Sequence, residues 1–294
     1  MKKQQRRKKA SLGHILVVAV LTVWLFIIII PFWNALMISF MPSHEAARHP
    51  AALIPYGATI ENYKYVIESG GLVSAYMNTI TIVLTGTLYG MAIKTMAAYA
   101  FSQQFPFKKT LFLLMMFTMY FGGGMVPMYL LLKRLGLLNN LAGIVLMGGV
   151  STSNIIIMKN GFENTPQSLV EAAKLDGAND VKIFFSVMLP LQAPLLATFS
   201  LFTAVGYWNE WFWSQLILNK SGLQPLMVYL RNILATIEMS SFQSTASGMV
   251  LSHGMFPAGI KMSTVVLTMA PIMLVYPFLQ KYFMKGITIG AVKM

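Results

Sequence analysis

Six long apolar runs constrain this chain more than any other feature. They fall at about residues 12–39, 73–101, 111–132, 141–159, 194–218 and 258–284. A helix crosses a bilayer with about 20 predominantly apolar residues, because lipid offers its backbone groups no hydrogen bonds. The composition fits such a chain: of 294 residues, 56% are hydrophobic and only 11% charged. A soluble domain carries about 25% charged residues, and with so few this chain could not cover a core with polar surface. The expected fold class is therefore an all-α integral membrane protein with six transmembrane helices. Residues 1–11 form a basic tail and 12–294 a single transmembrane domain. The first run is about twice the roughly 7–15 residues of a signal-peptide core, so it reads as an uncut first span.

An even number of spans puts both termini on one side, and the basic residues say which. With the N-terminus inside, the inner segments hold 14 Lys and Arg, six of them within residues 1–9, and the outer segments hold 6. Both termini are thus expected in the cytoplasm. The net charge of +13 then belongs to membrane-flanking segments and calls for no nucleic acid. With no cysteine there is no disulfide framework or thiolate metal site, and His44, His49 and His253 lack metal-ligand spacing. No phosphate-binding G-x-x-x-x-G-K-[ST] loop occurs, so the chain binds no nucleotide itself. No inverted repeat is evident.

The stretch 160–193, between the fourth and fifth runs, is expected to lie in the cytoplasm as a helix, a turn and another helix. Thr165 can cap a helix whose first residue is Pro166. Gly177 can end it in the left-handed conformation. A second helix can start at Asn179 and is expected to stop near Leu189, ahead of Pro190.

Glu171-Ala172-Ala173, Gly177, Val187 and Leu189-Pro190 resemble, at their spacing, the signature loop of ABC importer permeases, with Val187 in place of the usual Ile. The resemblance extends along nearly the whole chain. Leu53-Ile54-Pro55, Glu61-Asn62-Tyr63, Ala97 to Phe101, Pro127, Gly136-Leu137-Leu138 and Trp208-Asn209 are similar to carbohydrate-importer permeases of the maltose type. Gln280 to Phe283 with Lys285-Gly286 and Ile289-Gly290-Ala291 look like one branch of that group, whose members import oligosaccharides. Glu210 departs from the pattern, which more usually has Asp after Trp-Asn.

The resemblance implies a type I importer architecture in a bacterial inner (plasma) membrane. The chain would form half of an oligosaccharide pathway, as a heterodimer with a second permease. Two ATPase subunits would hold ATP and Mg, and an extracytoplasmic protein would deliver the sugar. It also implies no cofactor in this chain and no enzymatic step of its own. Glu171, Ala172, Ala173, Asp176, Gly177, Ala178, Leu189 and Pro190 become the residues that couple to the ATPases.

Candidates for the substrate path are Tyr207, Trp208, Asn209, Glu210 and Trp211. Of the nine acidic residues, Glu210 alone falls within an apolar run, and such a residue is a functional candidate by default. Asn209 and Glu210 could bond sugar hydroxyls while an indole stacks on a ring, or they could bond the neighbouring subunit. Lys94 and Lys261 read better as snorkelling or partner-pairing residues than as pore residues. Gly122-Gly123-Gly124 with Pro127 breaks the third helix. A subunit of an ion-coupled secondary transporter is the rival reading, with Glu210 as its one possible coupling acid. A membrane enzyme would need paired acids or clustered histidines within a span, and the sequence offers none.

Overall fold

The first apolar run forms α1 (Leu12–Ser39). At 1.5 Å per residue it is about 42 Å long, enough for the roughly 30 Å hydrocarbon layer. Its side chains are apolar on every side and exposed from Ile15 to Trp33, as a helix solvated by lipid requires. The computed structural model describes residues 12–68, 70–247 and 257–291. The basic tail, His253 and Lys293 lie outside them.

The described chain is built of helices, and it divides into two compact units: residues 12–68 with 233–247 and 257–268, and 70–232 with 269–291. In the first unit, α2 (Ser43–Arg48) and α3 (Glu61–Glu68) follow α1. Asn62, 6% exposed, donates to the carbonyls of Ser39 at 3.0 Å and Met41 at 2.9 Å. It thereby satisfies groups that the end of α1 leaves orphaned. Trp33 Nε1 donates to Leu53 O at 2.8 Å, and Asn34 Nδ2 to Ala52 O at 2.9 Å. Residues 50–53 are thus folded back onto the last turns of α1.

The second unit is organised by α4 (Leu72–Ser102). Its buried residues include Ala75, Thr79, Ile82, Gly86, Gly90, Lys94 and Ala98, three or four apart, which is one stripe of a helix. Most are small, so neighbouring backbones can come close. Against α4 pack α7 (Leu141–Gly148), α8 (Thr152–Glu163) and α12 (Ala193–Trp208). Between α4 and α7 lie α5 (Lys108–Tyr120) and α6 (Met125–Arg134). Between α8 and α12 come α9 (Gln167–Leu175), α10 (Asp180–Ile183) and α11 (Leu189–Leu191). The chain then continues through α13 (Phe212–Ile217), α14 (Leu226–Ser247) and α15 (Pro257–Ala291).

Among the described residues three single helices are long and apolar enough to span: α1, α4 and the stretch Ala258–Val275. The other candidates are bent pairs. α5 and α6 meet at 112°, α7 and α8 at 49°, and the α10–α11 segment meets α12 at 80°. With each pair counted as one span the total is six. The break between α5 and α6 falls at the expected glycines, where Gly124 has φ +84°. It is exposed, and among the described residues no atom beyond the chain neighbours lies within 4 Å of a Cβ at Gly122 or Gly124. The fifth run is not one helix either: α12 ends at Trp208 and α13 begins at Phe212.

Candidate functional site

Two regions of the second unit carry the candidate residues. The first is the loop between α8 and α12. α9 ends as the glycine suggests: Gly177 has φ +76°. Its N–H bonds Lys174 O, and that of Ala178 bonds Ala173 O, both at 3.0 Å. This pair of bonds is a Schellman cap. Asn179 then caps α10, its side chain accepting from Lys182 N at 2.9 Å.

Two local expectations give way here. Thr165 does not cap α9, whose N-cap is Pro166 without a side-chain bond. Thr165 Oγ1 instead accepts from Gln192 Nε2 at 3.0 Å, and the same amide reaches Gly161 O at 2.9 Å. Nor does the second helix stop at Leu189. A π turn, Phe184–Met188, carries it through Pro190 into α11. The wider turn relieves the clash between the proline ring and the preceding carbonyls that an α-helix would impose. Gln192 sits at the 80° bend that follows and ties it to the end of α8.

One side of this loop is packed. Ile183, Phe184 and Met188 are buried with Ala98, Ile155, Met158, Phe162 and Phe199, and Val170, Ala173, Ala178, Val187 and Leu189 lean on that cluster. The other side is open. Glu171, Ala172, Asp176, Gly177 and Pro190 are exposed. Leu169 and Leu175 are 43% and 89% exposed, and with Ala172 they form a bare apolar strip at i, i+3 and i+6.

The second region is a cavity of about 280 Å³ between two helix breaks, lined by Lys94, Ser151, Asn154, Thr203, Tyr207, Glu210 and Trp213 among others. Lys94 is 1% exposed and donates from Nζ to Thr203 Oγ1 at 2.6 Å. Among the described residues it forms no ion pair. Its ammonium is thus turned inward against α12 within the second unit. Tyr207 is clamped: its ring fills the space left by Gly86 and Gly148, where a Cβ would lie 2.6 Å from ring carbons. Its hydroxyl donates to Val145 O at 2.7 Å. Glu210 lies in the break after α12, where its Oε1 accepts from Trp213 N at 2.7 Å and caps α13. The family model for the inner membrane component of binding-protein-dependent transport systems matches residues 10–289.

The chain belongs to that family.

Among its relatives is the polygalacturonan/rhamnogalacturonan transport system permease YtcP of Bacillus subtilis (strain 168). The two are 36% identical over 286 residues, 97% of this chain and 99% of the relative. The arabinooligosaccharides transport permease AraQ of Halalkalibacterium halodurans is 27% identical over 91% of this chain and 92% of its own. Among solved structures, a bacterial ABC transporter involved in the import of the acidic polysaccharide alginate superposes with TM-score 0.82. That match has 29% identity and covers 92% of this chain and 95% of the other. The helical architecture is therefore that of an ABC importer permease.

The cavity of this permease brings together only some of the expected path residues. Tyr207 and Glu210 line it. Trp208, Asn209 and Trp211 do not. Trp208 Nε1 is buried and finds no acceptor among the described residues. Asn209 Nδ2 bonds back to Val205 O at 3.0 Å. The Trp211 ring is covered by the Arg231 guanidinium at 3.7 Å. Ser151, Asn154 and Trp213 escape sequence reasoning, because polar or aromatic residues near a span end carry no local mark of a cavity. The signal for Lys94 was present: a lysine seven residues before the end of a long apolar run.

Proposed function

We propose that this permease forms half of the translocation pathway of an ATP-driven oligosaccharide importer and that α9 is its docking element for an ATPase subunit. The observation that carries the reading is the two-sided loop. Its inner side is fixed by the buried cluster to the ends of α4, α8 and α12. Its outer side presents Leu169, Ala172 and Leu175, exposed among the described residues. A rigid lever with a bare apolar tip can pass a push from a bound subunit into the spans. The Gln192 bonds would carry that push across the bend.

Membership of a binding-protein-dependent family supports an extracytoplasmic sugar-binding protein as donor. A second permease, forming a heterodimer, supplies the other half of the pathway, and two ATPase subunits hydrolyse ATP with Mg. The named cargoes of the relatives support a sugar as substrate, and the basic asymmetry supports cytoplasmic termini. The ion-coupled alternative is not favoured by the family. Glu210, its required acid, is already engaged as a helix cap.

Ala172→Trp and Gly177→Val test the docking role. Both positions are open: Ala172 is exposed, and among the described residues no atom lies within 4 Å of a Cβ at Gly177. The valine costs about 1–2 kcal/mol for the positive φ, too little to unfold the spans. Both variants should insert and pair with the second permease, yet bind the ATPase poorly and lose uptake. Normal uptake with normal ATPase stimulation in both would overturn the role. A cysteine at Lys182 should resist impermeant reagents in intact cells, and its labelling would reverse the orientation.

A further inference from the structure

Lys94 is the least accounted-for charge in the described chain. It lies in the last third of the long helix α4, about 12 Å from the Ser102 end by helical rise, and its side chain is buried. An unpaired charge at such depth costs several kcal/mol unless something compensates it. Thr203 engages one of the three ammonium donors. Thr203 cannot itself offset a charge, and its own hydroxyl is committed to Phe199 O at 2.8 Å.

A second feature of the same wall has the same sign. α8 starts at this cavity, with Ser151 as N-cap and Asn154 in the first turn, and both line it. The Ser151 hydroxyl meets Ser153 Oγ at 3.1 Å but caps no backbone N–H, and the first turn holds no acidic residue. The N–H groups and partial positive charge of that turn are thus left for something else. Glu210 also lines the cavity, but it lies seven residues past Thr203, beyond the end of α12. One of its oxygens is held by Trp213 N. The cavity therefore has a positive end, made of Lys94 and the α8 start, and a negative end at Glu210.

We propose that the positive end is a carboxylate-binding subsite and that the cargo is an acidic oligosaccharide, one uronate unit at a time passing over Lys94. This rests on the import reading above. The uronate carboxylate accepts from Lys94 Nζ and from the α8 first turn. Its hydroxyls face Ser151 and Asn154, and Glu210 accepts from hydroxyls at the other end. Like charge at Glu210 fixes the orientation, since a carboxylate turned the other way meets repulsion. With about 280 Å³, the site suits one sugar ring. Modest grip favours transport, which requires that each unit also leave.

The test uses the assembled importer, with its partner permease, ATPases and binding protein, in cells lacking other routes for the probes. The probes are labelled trigalacturonate, trimannuronate, galactotriose and arabinotriose. The wild type is expected to import at least one of the two uronates. Lys94→Met should cut that uptake tenfold or more at an equal membrane level, and Lys94→Arg should retain a third or more of it. If Lys94→Met does not accumulate, Thr203→Val serves. It keeps the ammonium but frees it, so KM for the uronate should rise threefold or more with kcat little changed. Import of the neutral sugars alone would overturn the carboxylate subsite and leave the import reading standing. So would normal uronate uptake by Lys94→Met, equal loss in the Met and Arg variants at normal levels, or an unchanged KM in Thr203→Val. Import of none of the four probes, in the wild type, would count against both.

Discussion

The loop between α8 and α12 and the cavity wall around Lys94 are both places where helices break, yet they are stabilised in different ways. In the loop, broken ends are satisfied by residues close in sequence. Gly177 and Ala178 return to Lys174 and Ala173, and Asn179 caps Lys182. In the cavity wall the partners are far apart along the chain: Lys94 with Thr203, Tyr207 with Val145, and Tyr207 with the gaps at Gly86 and Gly148. Locally closed breaks keep their shape wherever the element is moved, which suits a lever. A wall closed over distance changes when its helices slide, which suits a passage that must open and shut.

The hardest blow to this contrast comes from adding volume where distant helices meet. Gly86→Ala puts a methyl 2.6 Å from the Tyr207 ring, and neither the ring nor α4 can yield freely. The expected cost is about 3 kcal/mol, the upper part of the range for overpacking. It should appear as a lower thermal midpoint of the detergent-solubilised complex and as reduced uptake. Gly206→Ala is the control, since no atom lies within 4 Å of its added methyl. There the helix should gain up to about 1 kcal/mol from propensity. Equal midpoints for the two variants would mean that the Tyr207 clamp does not hold the wall.

The same contrast explains what could be read from sequence. Gly177 and Asn179 announce a helix end and a helix start because their bonds close within five residues, and the structure shows both. The six runs were legible because lipid imposes length and apolarity on every span. The bends at Ser151, Gln192 and Asn209 were not, since each depends on partners elsewhere. Thr165 looks like a cap until Gln192, 27 residues on, takes its hydroxyl. Pro190 looks like a stop until a π turn makes room for it. Glu210 looks like a residue in mid-span until α12 ends at Trp208 and makes it a cap. Lys94 was visible as a charge in an apolar run, but only the fold shows that its ammonium is buried against Thr203.

Gln192 is where local and distant closure meet, so its variant sharpens the distinction. Gln192→Leu removes both donors and leaves Gly161 O and Thr165 Oγ1 half-buried without their partner. Stranding such groups costs about 1–3 kcal/mol. Because Gly177 and Asn179 close α9 and α10 on their own, the loop should keep its helices while its tie to α8 slackens. The expected result is a midpoint lowered by roughly 2 kcal/mol equivalent and a loss of uptake larger than the loss of bound ATPase. Equal loss of both would place the defect in the docking surface rather than the bend.

Glu210 should give the smallest effect, and two substitutions separate its two properties. Glu210→Gln keeps an oxygen able to accept from Trp213 N, so α13 stays capped while the charge disappears. Glu210→Ala removes both. Losing a side-chain cap costs about 1 kcal/mol, and α13 has only six residues, so the whole short helix depends on it. If Glu210 serves only as a cap, stability should fall in the Ala variant alone, and uptake should follow stability. If the negative end of the cavity also handles cargo, the Gln variant should keep its thermal midpoint yet change uptake by several-fold. Measuring midpoint and uptake together for both variants decides between these outcomes. A Gln variant unchanged in both would leave Glu210 as a cap and nothing more. The wall after α12 would then be a locally closed break like the loop, and the contrast between the two regions would narrow to Lys94 and Tyr207.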